Sequence, residues 1–388
     1  MSEPIDATSF HISPHSAAKA QKGAAIQAAK KLAIAQVRTK YAIQNMLDAG
    51  AFNPIAMARR FSRLEDRSRR SLREEISKVE GGKELLRIVE RITEVSEQFS
   101  RKNPELQSRS LLYLRDSIKE DDTAEVILRK VLDMYPDVSL ADDALDFLLE
   151  TTEGPLHDQV LLAKEELNAR YGKEIRAGKN IAVEARLYAR QGLGPPSHLR
   201  GYYRDIIGNP RDAYALFEEL TSQFPYEKLK TFIDFLLHSL GSDLKSKGPS
   251  IDPAELYRLL TETRTLQSFL GIFRFFLSRM GLISMSFTRA QIELPSKLTF
   301  EALAKLFVKL LGERYISVDK VLALAEWLEL EEELTGQIII YTQMRDAVRG
   351  IAPRLYKSKR HREELLSAFI EAIQSLDEKL EEKEENEG

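Results

Sequence analysis

From Ser71 onward, apolar residues recur along this chain at helical spacing. Leu85, Ile88, Val89, Ile92 and Val95 form one stripe, and Val126, Ile127, Leu128, Val131 and Leu132 form a looser one. Ser139–Glu150 carries a third through Leu140, Ala144, Leu145, Phe147, Leu148 and Leu149. An i, i+3, i+4 pattern puts one apolar face on a core, which predicts amphipathic helices. Alternating β-branched runs are scarce, and no Asn-Gly or Asp-Gly hairpin turn occurs, so strands are not predicted.

The clearest helix pair lies at 226–279. Leu229, Phe232, Ile233, Leu236, Leu237 and Leu240 make the first stripe, which gives way to a turn-rich basic segment, Gly241–Gly248. Pro249 interrupts the helix, Asp252 is placed to cap a new one, and Pro253 falls at its first position, where a missing N–H costs nothing. Leu256, Leu259, Leu260, Leu266, Phe269, Leu270, Phe273, Phe276 and Leu277 then follow, and the two helices are expected to pack as a long antiparallel hairpin. Gly154-Pro155, Gly172, Gly178, the Gly192–Ser197 loop and Gly208-Asn-Pro210 punctuate the middle of the chain. Gly281–Lys297 reads as irregular, leading into a last helical block that ends in the acidic tail 377–387. No motif repeats at a fixed period of 30–45 residues, which disfavours a solenoid.

The first 70 residues differ. Residues 1–20 are rich in Ser, Pro, Ala and Thr and lack the basic leader and apolar block of a secretory signal, so any export is expected to bypass the general route. Ile26, Ala29, Ala33, Val37 and Tyr41 form only a thin stripe, and basic residues crowd from Lys30 to Arg70. A segment so poor in large apolar groups cannot bury a core alone, which predicts a disordered arm that orders against a partner.

The chain has 388 residues, a net charge of −3 and 43% hydrophobic residues, enough for two or three packed domains. Near-neutrality argues against a general nucleic-acid binder, and the one basic run, Arg59–Arg70, is interrupted by acids and holds a single aromatic residue. With no cysteine, disulfides and thiol chemistry are excluded. No apolar run reaches the roughly 18–20 residues of a membrane-spanning helix.

Catalytic patterns are missing. There is no P-loop, no Gly-x-Ser-x-Gly elbow and no EF-hand, and Gly192-Leu-Gly194 is followed by prolines instead of a helix-opening glycine. His11 and His15 stand at i, i+4, but Pro14 between them argues for a solvated tail and not a metal site. His238 reads as a partly buried structural histidine on the rim of an apolar face. Acidic pairs such as Glu74-Glu75, Asp142-Asp143, Glu165-Glu166 and Glu218-Glu219 read as helix surface. No catalytic, cofactor-binding or metal-ligating residue is expected; an all-helical scaffold with a mobile arm suits protein–protein contacts.

Four blocks carry a resemblance. They are Ala141–Thr151, Gly178–Ala189, Leu199–Ile207 and, the strongest, Phe235–Ile251 with Leu256, Leu259 and Leu266 after it. In that order they resemble the gatekeeper family of type III secretion systems, which includes YopN, InvE, MxiC, SepL and the chlamydial CopN, the CopN branch being nearest. Residues from about Leu298 to Glu382 resemble TyeA, a separate chain in some systems and fused here. At the place where TyeA-like proteins often carry a tryptophan after a basic residue, this chain has Arg314-Tyr315.

The resemblance implies an all-α, elongated rod of three consecutive helical bundles behind the disordered arm. The divisions would be 1–74 (export signal and chaperone-binding arm), 75–172, 173–285 and 286–388 (TyeA-like, with the acidic tail). It implies a non-enzymatic regulator without cofactors that restrains effector export and sets the translocator-before-effector order. Its partners would be a heterodimeric secretion chaperone, the export gate's cytoplasmic ring and chaperone–translocator complexes, with no nucleic acid and no membrane span. The chain itself would be a monomer that works in the bacterial cytoplasm at the secretion apparatus and is then secreted to the cell surface or outer membrane. Candidate contact residues are Ile26, Ala33, Val37 and Tyr41 on the arm, Lys245 and Lys247 in the basic turn, and Arg314 and Tyr315. The alternative from a different class is a secreted effector acting on a host protein, for example a cytoskeletal one.

Overall fold

The computed structural model describes residues 53–64, 66–78 and 81–387. Their regular elements are all helices, with no strand among the described residues. The described residues divide into two compact units, those up to 120 with 150–153, and those of 121–149 with those from 154 onward.

The first unit is built on α1 (Pro54–Phe61), α2 (Asp66–Ser77), α3 (Gly82–Lys102) and α4 (Ser108–Ser117). Residues 54–74, placed within the arm by composition, here form α1 and most of α2. The local reasons are specific. Asn53 Oδ1 accepts from the N–H of Ile55 at 2.9 Å, and Pro54 occupies the first turn. Met57 and Phe61 stand at i, i+4, as do Leu72 and Ile76, and all four are buried. Two large residues on one face suffice for a short helix when a core already exists to receive them. Arg59 helps to anchor α1 by pairing with Asp116 and lying 5.0 Å over the Tyr113 ring. The α2–α3 joint needs glycine, because a Cβ on Gly82 would lie 1.9 Å from the carbonyl oxygen of Ile76.

The second unit begins with α5 (Ala124–Met134), α6 (Val138–Thr151) and α7 (Gly154–Asn180). The break expected at Gly172 is present as a kink at the preceding Tyr171 (φ −129°, ψ 22°), beyond which α7 continues through Gly178. Gly178 marks a close approach, since a Cβ there would meet Ser139 Oγ at 2.6 Å. Then come α8 (Ala182–Arg190), α9 (Pro196–Gly208), α10 (Ala213–Gln223), α11 (Tyr226–Lys245) and α12 (Pro253–Arg289). The expected cap is present, with Asp252 Oδ1 accepting from Ala254 N–H at 2.7 Å.

Helix α12 runs ten residues past its expected end. Gly281–Arg289, read as irregular, is helical because Phe276, Ile283 and Phe287 continue the buried stripe at helical spacing. Its N-terminal half packs on α10 and α11. Its C-terminal half packs on α13 (Phe300–Gly312) and α16 (Leu334–Gly350), which flank the short α14 (Val318–Leu322) and α15 (Leu324–Leu328). Aromatic contacts mark the seam: Phe217–Phe269 at 5.5 Å, Tyr226–Phe273 stacked at 5.1 Å and Phe276–Phe307 at 5.8 Å. One buried cluster thus extends from Ala177 to Leu376. Among the described residues α12 alone is long and apolar enough to cross a membrane. Eleven of its residues, from Leu256 to Phe287, are instead buried within this unit, as a core helix requires.

A 3₁₀ turn (Pro353–Leu355) leads to α17 (Lys359–Glu387), which packs on α16 and α14. His361, near its start, is buried. Burial first, and then the nearby Lys357 charge, push its pKa below the ordinary value. The sign follows: below about pH 6.5 the unfolded chain takes up a proton that the folded chain refuses, so stability falls as pH drops through that range. His361→Leu is expected to flatten this part of a stability–pH profile measured by thermal melts. An unchanged slope would show that His361 does not set it.

Candidate partner-binding site

Two surfaces of the second unit display residues that the fold does not need, and each is held by a polar frame. The first is the turn between α11 and α12. Asp243 is fully buried at its centre. Its Oδ1 accepts from Asn180 Nδ2 at 2.8 Å and from Ser250 N–H at 2.9 Å; its Oδ2 accepts from Tyr203 Oη at 2.7 Å and from Ser250 Oγ. Burial, and then the Asp243 charge, push the Tyr203 pKa far up, so the hydroxyl stays a donor. Asn180 also donates to Ser246 Oγ at 3.0 Å and to the carbonyl of Gly248 at 3.1 Å. A buried carboxylate with both oxygens satisfied fixes the turn around it. Lys245 and Lys247 stand exposed on that turn.

Below the turn lies a second buried carboxylate, Asp137. Arg200 Nε donates to it at 2.8 Å and Arg204 Nη1 at 2.9 Å, while Ser139 donates through its N–H and its hydroxyl. Arg200 is only 1% exposed. Burial alone would raise the Asp137 pKa, but the two guanidinium charges outweigh it and hold the carboxyl below its usual range.

The pair Asp142–Asp143, read as helix surface, is half corrected: Asp142 is buried. It accepts from Asn168 Nδ2 at 3.0 Å and pairs with Lys179, tying α6 to α7 on both sides of the kink. Asp142, Asp143 and Asp146 bring carboxylate oxygens within 4.8 Å of one another, but Lys164 and Lys179 lie among them and supply the countercharge. His238, expected at a partly buried rim, is exposed and bonded through Nδ1 to Tyr188 Oη at 2.7 Å.

The second surface lies on the segment from α13 to α15. Lys320 Nζ binds Glu313 Oε2 at 2.6 Å and the Tyr315 carbonyl at 3.0 Å, and Lys357 Nζ donates to the Glu313 carbonyl at 2.9 Å. The hydrogen bond from Lys320 holds the Glu313 carboxyl below its usual pKa range. On this pinned loop Arg314 is exposed, and Tyr315 is 81% exposed. Trp327, the chain's only tryptophan, is 61% exposed on α15, with Lys309 Nζ 4.6 Å from its ring centroid. Sequence reasoning passed over Trp327, although the signal was there. Leu324, Ala325 and Leu328 take the inward face of that turn, which leaves Trp327 outward. Exposed Tyr and Trp beside cations are the side chains that most often anchor protein interfaces. Of the arm residues singled out, Ile26, Ala33, Val37 and Tyr41 lie outside the described residues.

Comparisons with known proteins agree on one family. The HrpJ-like domain model matches residues 55–224, and the model "T3SS, Low calcium response E, third helical domain" matches residues 275–374. Outer membrane protein YopN of Yersinia pestis is 29% identical over 98 residues, 25% of this chain and 33% of that protein. YopN of Yersinia enterocolitica is 26% identical over 95 residues, 24% of this chain and 32% of that protein. The matched region therefore spans only a third of these relatives' length. Among solved structures, a chain of the CopN–Scc3 complex matches with TM-score 0.58 and 27% identity, over 72% of this chain and 99% of that one. Chlamydia pneumoniae CopN matches equally, over 73% and 99%. Shigella flexneri MxiC, at 18% identity and TM-score 0.58 over 71% and 95%, shares the fold.

Proposed function

Because this chain belongs to the type III secretion gatekeeper family, we propose that it holds back effector export until translocators have been delivered. It does so by occupying the export gate's cytoplasmic ring and secretion chaperones, and it transforms no substrate. The observation that carries this reading is the order of the two family matches, HrpJ-like and then the third helical domain, along a chain that covers nearly all of the solved CopN chain. The complex of CopN with Scc3 supports a chaperone as one partner.

Blocking an export gate needs contacts that are individually weak and released together. The part of residues 1–74 that precedes α1 would supply an export signal and a chaperone-wrapping arm through Ile26, Ala33, Val37 and Tyr41, and the protein would itself be exported after release. Arg314, Tyr315 and Trp327 would supply a second contact on the folded chain. Two sites on one chain raise each other's effective concentration, and the advantage vanishes when either lets go.

A deletion strain tests the reading: the expected result is premature export of many effectors at once, and a normal export order would overturn it. At the residue level, Tyr315→Ala with Trp327→Ala should weaken binding of the system's own purified chaperones by about 30-fold, the equivalent of roughly 2 kcal/mol for hot-spot aromatics. The melting temperature should stay put, because both side chains face solvent.

A further inference from the structure

Helix α8 has two faces, and only one is used by the fold. Ile181, Glu184, Ala185 and Tyr188 turn inward. Ala185 is fully buried, Glu184 accepts from Ser242 Oγ at 2.6 Å, and Tyr188 bonds His238. The opposite face carries Val183, Arg186, Leu187 and Arg190, an i, i+3, i+4, i+7 stripe of its own. Val183 is 66% exposed and Leu187 51% exposed. A lone surface leucine needs no explanation, but an apolar pair one turn apart interleaved with two arginines is a patterned face.

The charges separate this face from its surroundings. Elsewhere in this unit, Lys179, Arg200, Arg204 and Arg211 are all paired with carboxylates. Arg186 and Arg190 pair with no acid among the described residues, and neither do Lys245 and Lys247 on the adjoining turn. That turn is bonded, through the Gly248 carbonyl, to Asn180, the residue that ends α7 two positions before α8. The chain as a whole is slightly acidic, so a run of unpaired cations beside bare apolar groups is not a by-product of composition.

We propose that the outer face of α8, with Lys245 and Lys247 at its N-terminal end, is a docking surface for an acidic amphipathic helix of a partner protein. The partner's apolar pair would cover Val183 and Leu187, and its flanking carboxylates would meet Arg186, Arg190 and the two lysines. The stripe is about 10 Å long, two helical turns, and suits a helix laid along it. This surface is separate from the Tyr315–Trp327 contact and stands whether or not that contact binds a chaperone.

The test uses the full chain and a fluorescein-labelled synthetic helix bearing a Leu pair at i, i+4 ringed by glutamates. Anisotropy should report binding that weakens as salt is raised, because exposed charges are screened. Arg186→Glu with Arg190→Glu should weaken it at least about tenfold. Val183→Ser with Leu187→Ser should do the same, and melting temperatures should be unchanged in both. A peptide with lysines for glutamates should not bind. In the native bacterium, a photo-crosslinker at position 187 should capture a secretion component through an acidic helical segment. Failure of the wild-type chain to bind the peptide, or binding indifferent to both double substitutions, would overturn the proposal. So would concentration-dependent self-association, or binding to anionic vesicles, that Arg186→Glu with Arg190→Glu abolishes while the peptide stays silent.

Discussion

Asp137→Ala is expected to cost about 3–5 kcal/mol of unfolding free energy, the range for breaking one side of a buried ion pair. The magnitude follows from what remains behind. Arg200 stays sealed in the interior after losing this carboxylate, Arg204 loses its acceptor, and the Ser139 N–H loses its cap. Urea unfolding at neutral pH measures the loss. Asp137→Leu combined with Arg200→Met should restore much of it, because two apolar side chains leave no charge stranded. A pH dependence follows as well. The Asp137 pKa is lowered in the folded chain, so its stabilisation is complete above the ordinary carboxyl range, about pH 4, and is lost as pH falls through the folded value. Asp137→Asn should blunt that acid limb. A loss below about 1 kcal/mol for Asp137→Ala would show that the Asp137 pair does not anchor this part of the core.

Substitutions at Gly281 give the second large effect and test the continuity of α12. Gly281→Pro should cost about 3 kcal/mol or more, because proline in a helix interior removes a backbone hydrogen bond and clashes with the preceding turn. Gly281→Ala should instead stabilise by about 0.5–1 kcal/mol. The position is exposed, its backbone is helical, and nothing lies within 4 Å of an added Cβ. If the segment were a loop, both substitutions would be nearly silent. Thermal or urea unfolding of the two variants, taken side by side, decides between the cases.

What the sequence revealed of this fold was mostly its periodicity. The three early stripes, the 226–279 pair and the Asp252–Pro253 start all correspond to helices, because large apolar residues at i, i+3, i+4 leave few alternatives. Glycine was the misleading signal. Gly178 and Gly281 read as breaks yet lie inside helices, at a local cost of about 1 kcal/mol each, whereas Gly172 does mark one, since the helix kinks at the preceding residue, Tyr171. The α1 region misled for the opposite reason. Its two large buried residues, Met57 and Phe61, are too few to register as a stripe, and the core that receives them comes from elsewhere in the chain. Of the candidate surfaces, Arg314-Tyr315 and the two lysines could be singled out in advance. The buried status of Asp142 and the bare outer face of α8 could not, because both depend on which neighbours arrive in three dimensions.

Covalent continuity between α12 and α13 contributes little to holding them together. The segment from Ala290 to Thr299 lies largely on the surface, while Phe273 and Phe276 on one side meet Phe300 and Phe307 on the other. A chain cut there would leave two fragments still joined through their buried rings, losing mainly the entropy advantage of a tether. The same architecture could therefore be encoded as two polypeptides that assemble after synthesis, with no new interface to invent.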